Sequence, residues 1–254
     1  MNRHLVAALW AALFATGALA QTPPPPPATN LSDSKHNFQL QTNNVRVAAG
    51  QAEDGKCVFC HTPHKGASSL LLWNHQFSAS DYAWSDATRT TGGTTYPTNL
   101  RTWTGSTAKC LSCHDGTVSV GSIYWSNAQL PPEVVMDGSD QTGGKISNPA
   151  YEITGGGTGG ADMKGNHPVG VPFPYNNQPS TYNGISSGPD VRLNQWVATP
   201  TGVKIFGAGG AGGPVAGAAG IECASCHDPH GTGNAFFLRV TKSQSQLCLS
   251  CHQK

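Results

Sequence analysis

Four copies of the pattern Cys-x-x-Cys-His constrain the fold of this chain more than any other feature. All eight cysteines fall into pairs with two residues between them: Cys57 and Cys60, Cys110 and Cys113, Cys223 and Cys226, and Cys248 and Cys251. A histidine follows each pair directly: His61, His114, His227 and His252. With 10 histidines in 254 residues, chance would place one after every pair about once in a million. The pattern therefore needs a chemical explanation that involves the histidine as well as the thiols.

Cys-x-x-Cys-His is the attachment signature of c-type haem. The two thiols form thioethers with the haem vinyl groups, and the adjacent histidine becomes the proximal ligand of the iron. The two-residue gap places the sulfurs across the two vinyls while the next side chain turns under the iron. Disulfides and a zinc ribbon between Cys223 and Cys251 are the alternatives, but neither requires a histidine after every pair. The sequence therefore predicts four covalent haems c per chain.

The second axial ligand of each iron is expected to be another histidine. Low-spin electron-transfer haems take a distal histidine or methionine, and the only methionines beyond the N-terminal segment are Met136 and Met163. Outside the motifs and the N-terminal segment, the distal ligands that we expect are His36, His64, His167 and His230. His75 is held in reserve, because Trp73 and Phe77 beside it also suit an ordinary packed turn.

Two motifs share a further histidine at the same offset. Residues 61–64 read His-Thr-Pro-His, and residues 227–230 read His-Asp-Pro-His. The second histidine of each cannot reach the iron held by the first, because the two axial ligands lie on opposite faces of a wide macrocycle and a two-residue link with proline cannot pass round it. We therefore expect His64 and His230 to reach neighbouring haems. For His230 the nearest haem along the chain is the one held by His252.

Composition indicates a fold organised around these cofactors. Charged residues make up only 11%, and glycine accounts for 31 of 254 residues, so aliphatic side chains alone offer little core. Four apolar macrocycles would supply the missing buried surface. We expect a mostly irregular chain with a few short helices, and with short strands at residues 151–154, 191–199 and 202–206. The formal net charge of +1 gives no indication of a nucleic-acid partner.

The first residues are typical of a secretory signal peptide. A basic start precedes an apolar run that is too short to span a bilayer, and Ala18-Leu19-Ala20 is a small-x-small cleavage site. A membrane anchor is the alternative. We expect export to the cell surface or the extracellular space, with the periplasm as the alternative, and no transmembrane anchor. The predicted organisation is a signal peptide (1–20), a proline-rich arm (21–33) and a tetrahaem domain (34–254) with a glycine-rich, haem-free interval at about 131–220.

Five segments carry a resemblance to a known family. They read CVFCHTPHKG, LLWNH, CLSCHDGTVSVG, NHPVGV and CASCHDPHG…FLR…LCLSCH. From about Ser34 to His252 the chain resembles the doubled-CxxCH multihaem c-type cytochromes, and within them the OmcE-type tetrahaem cytochromes that polymerise into extracellular filaments. The resemblance implies bis-histidine haems in a continuous chain and a homo-oligomeric helical filament in which a neighbouring subunit supplies one haem ligand. It implies other cytochromes or extracellular acceptors as electron-transfer partners, and it matches His36, His64, His167 and His230 to the family's non-motif histidines.

These features predict an electron conduit rather than an enzyme. The alternatives are a monomeric periplasmic shuttle and a multihaem reductase, and the reductase would need an open axial position. Within the filament hypothesis, His36 is the favoured ligand to cross between subunits, because it lies about twenty residues before Cys57 on an arm long enough to leave its own subunit. His75 is the competing candidate, and ligation within one subunit is the remaining alternative.

The haem count can be checked by mass spectrometry of the denatured, purified protein. We expect four haem adducts on a chain that begins at Gln21, because thioether bonds survive denaturation. Fewer than four adducts, or bound zinc in their place, would contradict the prediction.

Overall fold

The computed structural model describes residues 30–51, 55–64, 66–67, 72–83, 105–126, 133–155, 161–185, 190–207, 219–231 and 233–253. The predicted signal peptide, most of the proline-rich arm and most of the glycine-rich loops lie outside these residues. All four Cys-x-x-Cys-His motifs and all five candidate distal histidines lie within them.

Regular structure is sparse, as the composition predicted. The α-helices are α1 (Thr107–His114), α2 (Cys223–Cys226) and α3 (Gln246–Leu249). Short 3-10 helices occupy Leu31–Asp33, Tyr175–Asn177, Thr181–Asn183, Val191–Gln195, Ala235–Phe237 and Ser243–Ser245. Within the described part of the chain, no helix is long and apolar enough to cross a membrane. The expectation of a mostly irregular chain with short helices and strands is confirmed.

The strands form three antiparallel pairs of two residues each. They are β1 (Arg46–Val47) with β2 (Met136–Asp137), β3 (Gln141–Thr142) with β4 (Lys145–Ile146), and β5 (Val171–Pro172) with β6 (Gly220–Ile221). Gly143 and Gly144 connect β3 to β4 with φ of +58° and +79°. Two consecutive positive φ angles are what a two-residue type I′ hairpin turn requires, and glycine adopts them without strain. The pair β1–β2 also carries an ion pair of 2.7 Å between Arg46 and Asp137.

None of the three segments expected from the sequence to be strands forms one, although two of them contain an isolated bridge, at Trp196 and at Phe206. At residues 151–154, the Thr154 amide donates to the Glu152 carboxylate at 2.7 Å, and this local bond replaces strand pairing. At residues 191–199, Asp190 accepts from the Arg192 amide at 2.9 Å and starts a 3-10 helix instead of a strand. At residues 202–206, the pairing is limited to an isolated bridge at Phe206.

Three apolar clusters form the core. The largest contains Phe38, Val47, Val58, Phe59, Val120, Ile123, Val134, Met136 and Ile146. The second contains Tyr82, Leu111 and Met163, and the third Val171, Phe173 and Ile221. Each strand pair contributes a buried residue to one of them. Both methionines that could have competed for iron, Met136 and Met163, are packed inside these clusters.

Asn74 connects the first motif to the segment that follows the second. Its side-chain amide donates to the Val58 carbonyl at 2.6 Å and to the Trp125 carbonyl at 2.7 Å. Its side-chain oxygen accepts the Trp125 amide at 2.9 Å, and its own carbonyl accepts the Tyr124 amide. Asn74 is fully buried, so none of these groups has water as an alternative partner.

Replacing Asn74 with alanine should lower the free energy of unfolding by about 2–3 kcal/mol, because several buried backbone groups lose their partners. The measurement is denaturant unfolding of the haem-loaded protein. Asn194→Ala is the matched control, since Asn194 is exposed and its loss should change stability by less than about 0.5 kcal/mol. Equal stabilities for the two variants would contradict the assigned role of Asn74.

Candidate functional site

Each Cys-x-x-Cys-His motif folds as one helical turn. The histidine amide donates to the carbonyl of the first cysteine, at 2.8 Å for His61–Cys57, 3.1 Å for His227–Cys223 and 2.9 Å for His252–Cys248. The second motif lies at the C-terminal end of α1 and is helical as well. Residues three and four positions apart share one face of a helical turn. Both sulfurs and the histidine of a motif therefore project to the same side.

The residues between the cysteines hold three of the motifs in the interior. They are Val58 and Phe59 in the first motif, Leu111 and Ser112 in the second, and Ser225 in the third, all buried. In the fourth motif Leu249 is 44% exposed. This motif is fastened instead by the backbone, since the Val197 amide donates to the Cys251 carbonyl at 2.8 Å.

Thiols of successive motifs lie close together. Cys60 neighbours Cys113, Cys110 is in hydrogen-bond contact with Cys223, and Cys226 neighbours Cys248 and Cys251. Burial raises the pKa of Cys60 to about 12, with Cys113 adding to the shift. For Cys223, the contact with Cys110 is the main cause of a raised pKa. The four attachment points thus follow one another in space in the order in which they occur along the chain.

Three of the four motif histidines face a histidine from a distant segment. The ring centres are 6.2 Å apart for His61 and His230, 6.1 Å for His114 and His36, and 6.3 Å for His252 and His167. The planes of the first pair are nearly parallel, at 12°, while those of the other two are inclined at 65° and 58°. Each pair joins a motif to a candidate distal ligand named from the sequence.

This spacing matches two imidazoles on opposite sides of one metal ion. With a metal–nitrogen bond of about 2.0 Å and about 1.1 Å from that nitrogen to the ring centre, two such rings have centres about 6.2 Å apart. Rings in direct stacking contact lie closer, as His36 and Phe237 do at 4.7 Å. The residues at these three motifs therefore fit a haem iron held by two histidines.

The hydrogen bonds of the rings leave one nitrogen available for a metal. In three histidines of these pairs, Nδ1 lies against a backbone carbonyl: His36 at Pro229 (3.3 Å), His114 at Tyr151 (2.7 Å) and His167 at Pro168 (2.9 Å). The motif histidine His227 makes the same contact with Phe236 (2.7 Å). A carbonyl can only accept, so Nδ1 carries the proton and Nε2 keeps its lone pair. Metal-binding histidines are commonly oriented in this way by a carbonyl behind the ring.

The electrostatic surroundings favour the neutral, ligating form of the imidazole. Removal from water lowers the pKa of His36 to about 4, and the neighbouring His114 adds to this shift. Burial also lowers the pKa of His114. At pH 7 these rings are therefore neutral, which is the state that binds a metal.

His75 is placed as a structural residue. It is fully buried, with Nδ1 2.9 Å from the Gln76 carbonyl and Nε2 2.8 Å from the Ser119 carbonyl. Its Nε2 also lies 3.5 Å from the Cys113 sulfur. Both ring nitrogens are occupied by protein contacts in this arrangement. The structure thus gives no support to the reserve role of His75 as a distal ligand, and indicates that it holds the second motif.

His230 lies near a different motif from the one expected. The sequence suggested the motif of His252 because it is next along the chain, and this choice was wrong, since the His230 ring faces His61. The turn after the third motif packs against the start of the described chain. A Cβ on Gly231 would lie 3.2 Å from the Asn30 carbonyl carbon, and the Pro229 carbonyl accepts from His36. This packing directs the loop back to the first motif.

His64 and His227 are left without a facing histidine. In the described residues, no ring contact joins either of them to another histidine, and both are exposed. The His64 ring stands edge-on to Trp125, with ring centres 5.5 Å apart. The prediction that His64 is a distal ligand therefore remains a prediction.

Sequence reasoning missed the groups behind the rings. The carbonyls of Pro229, Tyr151 and Phe236 orient three of the histidines, and every residue type has a carbonyl, so no residue pattern could have identified them. The role of His75 beside Cys113 was also missed, although its position between Trp73 and Phe77 suggested a packed turn.

The alternatives to haem attachment gain no support from the geometry. No disulfide joins any two of the eight cysteines. Among the residues that the structure describes, no group of three or more histidine, cysteine or acidic side chains is arranged to hold a metal ion. A zinc ribbon across the third and fourth motifs would have brought such a group together.

A comparison with protein families agrees with the haem interpretation. Residues 213–254, which contain the third and fourth motifs, match the doubled CXXCH motif family. The match supports a multihaem c-type cytochrome. No curated protein sequence is significantly similar to the chain.

Replacing His230 with alanine should open one axial position, at the haem of the first motif, because the ring that faces His61 is removed. We expect one haem of the set to become high-spin in electron paramagnetic resonance and optical spectra. Removing that haem as well, by adding Cys57→Ala and Cys60→Ala, should abolish the high-spin signal. Asn194→Ala, at an exposed position, is the control and should keep every haem low-spin. A high-spin signal that survives removal of the first haem would place His230 at another motif.

Proposed function

We propose that this protein is a tetrahaem c-type cytochrome that carries electrons along a row of bis-histidine haems, and that its copies join into an extracellular filament. The observation that carries the proposal is the set of three histidine pairs, with ring centres 6.1 to 6.3 Å apart, at the first, second and fourth motifs. The broader proposal, that the protein is a multihaem cytochrome that transfers electrons, is also supported by the family match over residues 213–254.

When bound, haem c supplies one-electron chemistry, because its iron alternates between the ferric and ferrous states. The protein's residues fasten, orient and separate the cofactors. The thiols would attach the cofactor, and the paired imidazoles would ligate its iron. Adjacent thiols of successive motifs keep the attachment points in a row. Two protein ligands on one metal leave no position for a substrate, which favours electron transfer over catalysis at these three motifs.

The remaining two histidines suit a bond between subunits. His64 and His227 are both exposed, and neither is in ring contact with another described histidine. We infer that His64 of one copy supplies the distal ligand to the motif of His227 in the next copy. One surface that binds a different surface of an identical copy generates a ring or an open helical filament. This assignment replaces His36 as the favoured crossing ligand, since His36 faces His114 of its own chain.

Low surface charge is consistent with permanent assembly. Only 11% of residues are charged and the formal net charge is +1. A shuttle that docks transiently on partners gains speed from a charged patch, and this composition offers little for such steering. The predicted signal peptide over residues 1–20 supports export, and assembly outside the cell would follow from it.

The unpaired His227 also bears on the reductase alternative. An open position at the third motif is what a substrate-binding haem would need. The two functions differ in what fills that position. In a filament a second copy of the chain fills it, whereas in a reductase it stays open in the native assembly and binds small ligands.

His64→Ala should abolish filaments while all four haems remain attached, and it should leave one high-spin haem per chain. Electron microscopy of the secreted material and mass spectrometry are the measurements. His36→Ala is the contrast variant: it should also produce one high-spin haem, but with filaments preserved, because its ligation lies within one chain.

Filaments of normal length from His64→Ala would refute the crossing role of His64. Wild-type protein that stays monomeric, with all haems low-spin, would refute assembly and support the shuttle. Wild-type protein that carries a ligand-accessible high-spin haem would support the reductase.

A further inference from the structure

The helix that carries the second motif begins without a cap of its own. Ser106 is the N-cap residue of α1, but its side chain makes no capping hydrogen bond within that helix. The first amides of a helix have no partner inside it and need an acceptor. Here the Thr107 amide donates to the carboxylate of Glu222, Oε2, at 2.9 Å. The acceptor therefore comes from the residue directly before the third motif.

The helix that carries the third motif has its own capping box between Glu222 and Ser225, and α1 supplies two further acceptors. The Cys223 amide donates to Thr107 Oγ1 at 3.2 Å, and the Ala224 amide donates to Ser106 Oγ at 3.1 Å. The Glu222 amide is bound by Ser225 Oγ at 2.9 Å. The N-termini of α1 and α2 thus satisfy one another's free amides. We call these three bonds between the helices the reciprocal cap.

Glu222 occupies a site that fits its side chain closely. It is fully buried, and a Cβ on Gly105 would lie 1.9 Å from Glu222 Oε1. Burial raises the pKa of Glu222, while the bonds from Thr107 and the nearby Lys109 oppose the shift. Lys109 is buried as well and donates from Nζ to the Gly105 carbonyl at 3.0 Å. Such a buried polar group is costly unless its position serves a purpose.

The reciprocal cap lies where two haem attachment points meet. Cys110 of α1 is in contact with Cys223, the first residue of α2. A displacement of one helix against the other would move the two attachment points by the same amount.

We propose that Glu222 is a positioning residue that fixes the separation and orientation of the second and third haem-binding motifs through the reciprocal cap. This proposal rests on the proposed haem loading of both motifs. Electron transfer between neighbouring cofactors depends steeply on their separation, so a rigid connection between attachment points maintains the conduit. Glu222 acts through the side-chain oxygen that accepts the Thr107 hydrogen bond, and this role does not require its negative charge.

The test uses the full-length, haem-loaded protein with two readouts. Amide hydrogen exchange at Thr107, Cys223 and Ala224 reports the cap, and the exciton couplet in the Soret circular dichroism reports how neighbouring haems are arranged. Haem content by mass spectrometry is measured first for every variant. Fewer than four haems per chain in the wild type refutes the proposed function. Amide hydrogen exchange still tests the reciprocal cap in that case.

Glu222→Ala should accelerate exchange at these amides about tenfold, the scale of one lost hydrogen bond, and should diminish the Soret couplet. Glu222→Gln should retain wild-type values for both, because an amide oxygen accepts the Thr107 bond. An unchanged couplet in Glu222→Ala, even with reduced stability, overturns the proposal. A Glu222→Gln variant that behaves like Glu222→Ala also overturns the proposal, since the negative charge of Glu222 would then be required.

A second pair of variants covers the case in which Glu222→Ala does not fold. Gly105→Ala should push the carboxylate aside and reproduce the faster exchange and the diminished couplet. Gly233→Ala is its matched control, because a Cβ there meets nothing within 4 Å. Identical exchange rates and couplets in the two glycine variants would overturn the proposal.

Discussion

Contacts between histidines of distant segments account for much of the long-range order in the described part of this chain. A Cys-x-x-Cys-His turn presents both sulfurs and one histidine to a single side, so an imidazole that faces this histidine has to come from another segment or from another copy. The described pairs bring together residues far apart in sequence: His36 with His114, His230 with His61, and His167 with His252. Two of the strand pairs, β1 with β2 and β5 with β6, also join distant segments, whereas β3 with β4 is a local hairpin.

The four motifs are buried to different extents. This suggests that the apolar core stabilises some motifs and that bound haem would stabilise the others. The first two motifs contribute Val58, Phe59 and Leu111 to apolar clusters, so their positions are defined by the polypeptide as well as by a cofactor. The fourth motif exposes Leu249 and is held mainly through backbone bonds to residues near Trp196. A bound macrocycle would add more to the order of this C-terminal motif than to that of the first two.

The sequence could indicate which residues are candidate ligands but not which of them lie close together. Cys-x-x-Cys-His identifies thiols and proximal histidines because the chemistry requires that local spacing, and the scarcity of aliphatic residues indicated an irregular fold. Candidate distal histidines could be named as a set, since few side chains bind haem iron. Their assignment to individual motifs was not, because it depends on how loops pack. His230 turns away from its sequence neighbour His252 because its loop packs on the N-terminal segment. Glu222 was missed because a glutamate before a cysteine carries no signal until Thr107 is beside it.

One loop shows how closely the sites depend on one another. Within residues 228–237, His230 faces His61, the Pro229 carbonyl accepts from His36, and the Phe236 carbonyl accepts from His227. The Phe237 ring also stacks on His36 at 4.7 Å. Described residues of this loop thus contact His61 of the first motif, His227 of the third and His36, which faces the second. Because one backbone segment must satisfy all three, an error at any of them displaces carbonyls that the others need. The ordering of these three sites should accordingly be cooperative, and the reciprocal cap at Glu222 lies just before the loop, where the third motif joins α1.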